Sequence, residues 1–339
     1  MKRAGIIAGG NWIVDHLKSV DCWPEQDTLA SIRGESRGNG GSPFNILKNL
    51  RLLGARFPLE AVGLVGDDDL GRWILADCRA HRIATRQLHT TAEAPTSYTD
   101  VMTVVSTGRR TFFHQRGANS RLGPEHFDFR RTRAKFFHLG YLLLLDALDA
   151  PGRDGRPRAC AVLGAATRAG LVTSLDLVSE SSDRFARLVP HVLPEVDHLF
   201  VNDYEAARST GITLHRLGRI HRAAVERAAA ALIAGGVRRA VFIHFPEAVY
   251  ALPRGGPGVW QASLNFPRAL IKGTAGAGDA LAAGVLYGLH EDWPVERSLR
   301  LGVSAAAACL TAVDCSSGLR SVSRCLALAR RHGLRPPPR

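Results

Sequence analysis

The sequence has no hydrophobic segment long enough to cross a membrane as an α-helix. Its longest apolar stretch, residues 139–145, is interrupted by Gly140 and Tyr141, whereas a membrane-spanning helix needs roughly 18–20 consecutive apolar residues. The apolar segment at residues 4–8 is too short for a signal peptide and ends at a Gly-Gly-Asn sequence. We therefore interpret residues 4–8 as a first β-strand, and we expect a soluble cytoplasmic protein without a membrane partner.

The sequence is also poor in lysine and has no paired cysteines. Only five of its 44 basic residues are lysine, and the arginines that produce the net charge of +13 are spread along the chain. No nucleic-acid-binding motif accompanies this charge, so we expect no nucleic-acid partner. The six cysteines form neither a Cys-x-x-Cys pair nor a cluster with zinc spacing, which indicates reduced and mostly buried thiols.

Short apolar segments alternate with helix-like segments, which predicts a mostly parallel sheet covered by helices on both faces. Strands are expected at residues 4–8, 59–65, 136–139, 171–175, 198–201 and 240–245, and helices at residues 43–53, 70–80, 223–234, 280–289 and 299–312. Residues 12–39 and 90–118 break this alternation and predict strands of a small second sheet. We interpret these two segments as a lid over an active site, with an added edge hairpin as the alternative.

The strongest chemical signal is the segment from Lys272 to Gly284, KGTAGAGDALAAG. Its small residues permit a tight turn with exposed N–H groups directly before a helix, and such a turn forms an anion site. A transferring phosphoryl group needs this kind of stabilisation. Asp279 lies in the first helical turn, where a carboxylate can take the proton of an attacking hydroxyl. The alternative is that Asp279 is only a first-turn acid in a Gly-rich turn.

This segment resembles the signature D-T-x-G-A-G-D-x-F-x-A-G of the ribokinase/PfkB family of carbohydrate kinases. The resemblance implies that Asp279 is the catalytic base and that the amides of Gly276, Ala277 and Gly278 form an anion hole. Gly273 stands where the signature has its first Asp, which supports a monovalent-cation site in the family, so the sequence argues against potassium activation. The expected ATP-binding residues are Thr274, Ala275, Gly276, Gly278 and Asn202.

Two segments near the N-terminus resemble the substrate-binding blocks of the same family. Residues 40–45, GGSPFN, are similar to the block G-G-x-x-x-N, in which glycines allow close approach of a hydroxyl and Asn45 offers a donor and an acceptor. The alternative is a Gly-rich turn that caps a helix. Residues 10–15 are similar to the family's first strand with its substrate-binding Asp. The resemblance therefore implies that Asn11, Asp15, Gly40, Gly41 and Asn45 contact the substrate.

Residues 201–205, VNDYE, resemble the family's N-x-x-E element. The resemblance implies that Glu205, with Asn202, organises Mg²⁺ through water and phosphate, which suits the oxygen ligands that magnesium prefers. On spacing alone, Asn202 and Glu205 are equally typical of a helix capping box. Weaker matches add Arg116, Asn119 and Asp176 to the expected substrate-binding residues, the last because it ends a central strand.

The resemblance covers about residues 5 to 320 with its blocks in the expected order. It implies a ribokinase-like three-layer α/β/α sandwich with a mostly parallel central sheet and a small β lid. The expected organisation is a single domain over residues 1–330, with lid segments at about 12–39 and 90–118, and a tail at 331–339. Because family members often pair through their lids, a homodimer is a candidate assembly.

The expected activity is ATP-dependent phosphorylation of a hydroxyl on a sugar or sugar derivative. A nucleoside kinase is the alternative, and it would need aromatic faces for a base, for which Trp12, Phe112 and Phe113 are candidates. A sugar phosphate would need converging basic groups, which Arg109, Arg110 and Arg116 offer. A third interpretation is a catalytically weakened, ligand-binding regulator, because residues 243–248 lack the glycines usual near the nucleotide.

Overall fold

A computed structural model describes residues 3–336 of the chain. Its strands are β1 (Ile6–Gly10), β2 (Ile13–Val20), β3 (Ile32–Gly40), β4 (Leu59–Gly66), β5 (Ala84–Thr91), β6 (Tyr98–Val104), β7 (Arg110–Gln115), β8 (Phe136–Leu142), β9 (Val172–Leu177), β10 (His198–Asn202), β11 (His215–Arg216), β12 (Arg219–Ile220), β13 (Ala240–Phe245), β14 (Ala248–Pro253) and β15 (Val259–Ala262). Its α-helices are α1 (Ser42–Leu53), α2 (Asp69–Ala80), α3 (Asp146–Asp149), α4 (Arg158–Arg168), α5 (Arg184–Val192), α6 (Asp203–Thr210), α7 (Arg222–Ala234), α8 (Ala277–His290), α9 (Val295–Cys309) and α10 (Val322–His332).

Nine strands form one central sheet in the order β15-β14-β13-β10-β9-β8-β1-β4-β5. The strands from β13 to β5 all pair in parallel. β14 and β15 extend the sheet at one edge by antiparallel pairing. Parallel neighbours need crossover connections, which helices usually provide, and this explains the strand–helix alternation of the sequence.

Side chains of the central strands alternate between two hydrophobic cores, one on each face of the sheet. On β13, Val241 and Ile243 belong to one core and Phe242 belongs to the other, because successive strand residues point to opposite faces. Residues of α4, α5 and α7 pack into the first core, and residues of α1, α8 and α9 pack into the second. The predicted three-layer sandwich with a mostly parallel sheet is therefore confirmed.

The two segments that break the alternation form a separate four-stranded sheet, ordered β3-β2-β6-β7, which we call the small sheet. β2 pairs with β3 in antiparallel and with β6 in parallel, and β6 pairs with β7 in antiparallel. The register places Asp15 beside Thr99 and Thr99 beside His114. These three residues form one row across the sheet, and their side chains therefore share one face.

Some boundaries differ from the predictions. The helix expected at residues 280–289 begins at Ala277, which makes Asp279 its third residue. The predicted tail at residues 331–339 is wrong at its start, because α10 continues to His332 and Leu334 forms a bridge with Leu264. The basic last turn of α10 favours this continuation, since cations stabilise helix C-termini. Residues 337–339 lie outside the described residues.

Within residues 3–336, no helix combines the length and the apolar character that a membrane span requires. All six cysteines are free thiols. Cys22 is exposed and the other five are buried, as the absence of paired spacing predicts.

Candidate active site

One cavity of about 520 Å³ lies where the carboxyl ends of the parallel strands, the N-terminus of α8 and one face of the small sheet meet. Asp176 and Asn202 come from the ends of β9 and β10, and Asp279 comes from α8. Asp15 and His114 reach the cavity from the small sheet. Ligands of open α/β sheets bind at this end of the strands, so the architecture itself marks this cavity as the candidate site.

The N-terminus of α8 presents backbone N–H groups to the cavity. Gly276 is the N-cap and adopts the left-handed conformation, with φ of 72°. Within residues 3–336, no protein acceptor takes the amide hydrogens of Gly276, Gly278 and Asp279, and all three residues line the cavity. The amide of Ala277 instead donates to the carbonyl oxygen of Thr274 at 3.4 Å. Within the described residues, the amides of this turn without a protein acceptor are therefore those of Gly276, Gly278 and Asp279, and the first two belong to the predicted set of Gly276, Ala277 and Gly278.

Asp279 is buried, yet its carboxylate faces the cavity. Asn45 Nδ2 donates to its Oδ2 at 2.7 Å, and the Tyr141 hydroxyl lies 2.9 Å from the same oxygen and 3.1 Å from Oδ1. Burial raises the pKa of Asp279 to about 6, and the hydrogen bonds from Asn45 and Tyr141 oppose this rise. The carboxylate is therefore held in place and mostly ionised at pH 7.

Asp176 lies next to Asp279, and burial together with the charge of Asp279 raises its pKa well above its usual range. Ser42 donates to Asp176 at 3.4 Å, and the hydroxyl of Ser42 also lies 2.8 Å from His138 Nε2. Burial lowers the pKa of His138 to about 3, so this imidazole is neutral. Of the two neighbouring carboxyl groups, Asp176 therefore holds its proton more strongly than Asp279.

The substrate-binding candidates Asp15, Gly41 and Asn45 also line the cavity. A Cβ on Gly40 would lie 2.3 Å from Asp15 Oδ1, so this glycine makes room for the carboxylate. Gly41 has φ of 81°, and a Cβ there would lie 2.0 Å from the carbonyl oxygen of Asn11. The local packing therefore requires a glycine at both positions. Gly41 lines the cavity, whereas Gly40 does not.

Asn11 and Asn119 were expected to contact the substrate, and the structure places both outside the cavity. Asn11 is fully buried, accepts from the amide of Tyr141 and donates to the carbonyl oxygen of Leu144. Asn119 is also fully buried and forms two 3.1 Å hydrogen bonds with the backbone of Trp12. Their amide groups are used to hold loops, so they support the site instead of lining it.

Asn202 and Glu205 line the cavity and also form the capping box that their spacing allows. Glu205 Oε2 accepts from the amide of Asn202 at 2.9 Å, and its Oε1 accepts from Asn202 Nδ2 and from the Ser179 hydroxyl. Burial raises the pKa of Glu205 to about 7. Asn202 and Glu205 therefore form a helix capping box and also face the cavity, where the N-x-x-E element is expected to organise a metal. A carboxylate with this many protein donors suits contact with a metal through water.

Among the remaining candidates, Thr274 and Ala275 line the cavity as part of the loop before α8. Arg116 lines it as well, but it is already paired with Asp146 at 2.6 Å. Neither Arg109 nor Arg110 lines the cavity.

Sequence reasoning missed several lining residues, namely Thr99, His114, Tyr141, His244 and Cys315. Tyr141 directly follows Gly140 near the end of the apolar strand β8. This position near a strand end is the one local feature that could have identified it as a site residue. Thr99 and His114 enter the site only through the register of the small sheet.

A family model described as pfkB family carbohydrate kinase matches residues 11–321. The chain belongs to the pfkB family of carbohydrate kinases. This pfkB family member is therefore an ATP-dependent carbohydrate kinase.

Two curated relatives and one solved structure illustrate how this pfkB kinase compares with known proteins. It is 29% identical over 300 residues to the ATP-dependent ribose-1-phosphate kinase of Halopiger xanaduensis, with 85% of each chain covered. It is 24% identical over 341 residues to the 5-dehydro-2-deoxygluconokinase of Shouchella clausii, with 96% of each covered. Ribokinase of Arabidopsis thaliana, solved with ribose and ATP, superposes with a TM-score of 0.76 at 20% identity, covering 97% of this chain and 99% of the other.

Proposed function

We propose that this cavity transfers the γ-phosphoryl group of ATP in line to a hydroxyl of an uncharged sugar or sugar derivative, with Asp279 as the general base. The observation that carries the proposal is the placement of the Asp279 carboxylate beside three amides at the start of α8 for which the described residues supply no acceptor. A base and an anion site must lie side by side for in-line transfer, because the attacking oxygen and the phosphoryl group meet there.

Asp279 takes the proton of the acceptor hydroxyl as that oxygen approaches phosphorus. Asn45 and Tyr141 hold the carboxylate in one orientation, which keeps it aligned with the incoming hydroxyl. The amides of Gly276, Gly278 and Asp279 donate to the oxygens of the transferring group, where negative charge must be stabilised. The loop residues Thr274 and Ala275 line the ATP side of the same space.

Asp15, Asn45, Thr99 and His114 form the acceptor side of the cavity. Burial lowers the pKa of His114 to about 4, so its imidazole is neutral, and together these groups offer both donors and acceptors to several hydroxyls. Within residues 3–336, Arg116 is the one guanidinium or ammonium group that lines the cavity, and Asp146 already neutralises it. An uncharged acceptor fits these charges better than a phosphorylated one.

Asn202 and Glu205 would hold Mg²⁺ through water near the phosphates of ATP. The donor set fits, because buried carboxyl groups with raised pKa values at Glu205 and Asp176 share this end of the cavity and would be stabilised by a divalent cation. Bound magnesium would neutralise charge on the phosphates during transfer. The small sheet would act as the lid that closes over the substrate and excludes water.

A nucleoside acceptor is less well supported. Trp12 is fully buried and donates to the carbonyl oxygen of Val62, so it has no face for a base. Phe113 stacks on Trp23 at a centroid distance of 6.1 Å and does not line the cavity, which leaves Phe112 as the one aromatic candidate of the three. A single exposed ring offers little stacking area.

The first test measures ATP consumption with a panel of sugars, sugar phosphates and nucleosides. We expect turnover with an uncharged sugar. Preference for a phosphorylated sugar would contradict the proposed uncharged acceptor but not the phosphoryl transfer itself. Preference for a nucleoside would favour the nucleoside kinase. No turnover with any member, combined with measurable ligand binding, would favour the regulatory interpretation.

The second test is Asp279→Asn. We expect kcat to fall by about a hundredfold or more, the usual contribution of general-base catalysis, with little change in ATP binding. Asp69→Asn is the matched control, because Asp69 is also a first-turn acid but its side chain is 94% exposed on α2. Normal turnover in a folded Asp279→Asn variant would sink the assignment.

A further inference from the structure

A chain of buried polar side chains runs from the wall of the cavity into the core beneath it. Its members are Asp176 and Ser174 on β9, His138 on β8 and Ser42 at the start of α1. His138 pairs directly with Ser174 across the two strands, and Ser174 and Asp176 share one face of β9 because strand residues two apart point the same way. Asp176 lines the cavity, whereas the other three members do not.

Each link of the chain is within hydrogen-bonding distance. Asp176 Oδ2 lies 3.4 Å from Ser42 Oγ, which in turn lies 2.8 Å from His138 Nε2. His138 Nδ1 lies 2.9 Å from Ser174 Oγ, and that oxygen lies 3.4 Å from the carbonyl oxygen of Phe137. Ser42, His138 and Ser174 are fully buried. Buried polar groups need hydrogen-bond partners, and these three residues find them along the chain.

The backbone leaves space for the chain at Gly140, two residues after His138 on β8. A Cβ on Gly140 would lie 2.5 Å from Ser42 Oγ and 3.2 Å from His138 Nε2. A larger residue at this position would therefore push the serine hydroxyl away from the imidazole. The bond between Ser42 and His138 thus depends on a glycine in the strand beneath it.

The chain can hold Asp176 in either protonation state. The imidazole of His138 is neutral, so it has one donor and one acceptor nitrogen, and a hydroxyl can donate and accept at once. When Asp176 is ionised, Ser42 donates to it, His138 donates to Ser42, and Ser174 donates to His138. When Asp176 is protonated, it donates to Ser42, every bond reverses, and Ser174 donates to the carbonyl oxygen of Phe137. No side chain has to move between the two patterns.

The second oxygen of Asp176, Oδ1, accepts from the amide of Leu177 at 3.0 Å. With a partner on each oxygen, the carboxyl group cannot turn without losing a buried hydrogen bond. We infer that Ser42, His138 and Ser174 are positioning residues that act through Asp176, because their chain fixes this carboxyl group in the cavity wall. The inference rests on the proposed phosphoryl transfer in this cavity, where groups held in one geometry lower the barrier.

The test compares the steady-state kinetics of Ser42→Ala, His138→Leu and the double variant with the preferred sugar. Each single change breaks the chain, so kcat should fall about fivefold, the factor that one hydrogen bond is worth, and the KM for ATP should stay unchanged. The double variant should lose no more than either single variant, because residues that act as one unit are not additive. His138→Gln, whose amide both donates and accepts, should recover most of the loss.

Ser304→Ala is the matched control and should keep the wild-type kcat. Ser304 is also fully buried, donates to the carbonyl oxygen of Arg300 at 2.7 Å and does not line the cavity. A wild-type kcat in the folded Ser42→Ala variant would overturn the inference, and this variant decides the test if His138→Leu does not fold. Additive losses in the double variant, an equal loss in Ser304→Ala or no recovery in His138→Gln would overturn it too, because each result means a general effect on the core.

Asp279→Asn separates the failure of this inference from the failure of the proposed function. Normal turnover in Asp279→Asn would refute the proposed transfer. An impaired Asp279→Asn beside fully active Ser42→Ala and His138→Leu variants would refute the positioning chain alone.

Discussion

His114 lines the cavity, and its imidazole Nε2 is buried without a hydrogen-bond partner among residues 3–336. Its other nitrogen, Nδ1, lies 3.0 Å from the Thr99 hydroxyl, which fixes the ring. We predict that His114→Phe raises the KM for the sugar about fivefold and changes kcat little, because one hydrogen bond to the substrate contributes about 1 kcal/mol. Steady-state kinetics with the preferred sugar measures both constants.

His16→Phe is the matched control for this change. His16 lies on the same small sheet, and its Nε2 also has no hydrogen-bond partner in the described part of the chain, but it does not line the cavity. An unchanged KM in His114→Phe, or an equal change in His16→Phe, would show that the His114 ring does not contact the sugar.

Single residues differ in how far the sequence alone identifies them. Asp279 could be predicted because its neighbours along the chain, from Gly273 to Ala280, carry the whole signal of a turn followed by a helix. Tyr141, whose hydroxyl lies 2.9 Å from the same carboxylate, is 138 positions away. No local pattern connects the two, because the contact exists only once β8 and α8 are packed around the same cavity.

The loop before α8 is the element whose conformation matters most for transfer. Gly276 has φ of 72°, and a Cβ there would lie 2.5 Å from the Cβ of Cys315. We predict that Gly276→Ala lowers kcat by about a hundredfold, the order expected for loss of one anion-hole donor, since the loop must move to relieve the contact. Turnover and ATP affinity are measured on the folded variant.

Gly211→Ala separates backbone strain from crowding. Gly211 ends α6 with φ of 71°, nearly the value at Gly276, but has open space around its Cβ position. This control should lose about 1 kcal/mol of stability and keep its turnover. If both variants were equally active, the position of the Gly276 amide would be irrelevant to catalysis.

At the scale of the whole molecule, buried carboxyl groups make stability depend on pH. The pKa of Asp279 rises from 3.8 in the unfolded chain to about 6, so its contribution is full below pH 3.8 and is lost as pH rises through 6. Buried histidines such as His198, whose pKa falls to about 4, act in the opposite direction. Comparing the free energies of unfolding of a variant and the wild type at the same pH cancels the effects of the groups that both proteins share.

We predict that Asp279→Asn gains stability relative to the wild type as pH rises from 4 to 7, by about 1–3 kcal/mol. Urea unfolding at each pH measures the difference in the free energy of unfolding. Asp69→Asn should show no such trend, because that side chain is exposed. If the difference in the free energy of unfolding between Asp279→Asn and the wild type did not change with pH, the carboxyl group would be as well solvated in the folded protein as in the unfolded chain.

The sequence by itself determined the three-layer fold, the pfkB family and the loop with Asp279, because periodicity and short motifs act over neighbouring residues. Only the tertiary structure decided that Asn11 and Asn119 hold loops, that Asp15, Thr99 and His114 form one row, and that Ser42 is hydrogen-bonded to His138. Strand register and packing between distant segments fix these contacts, and neither is written in any local stretch of the chain.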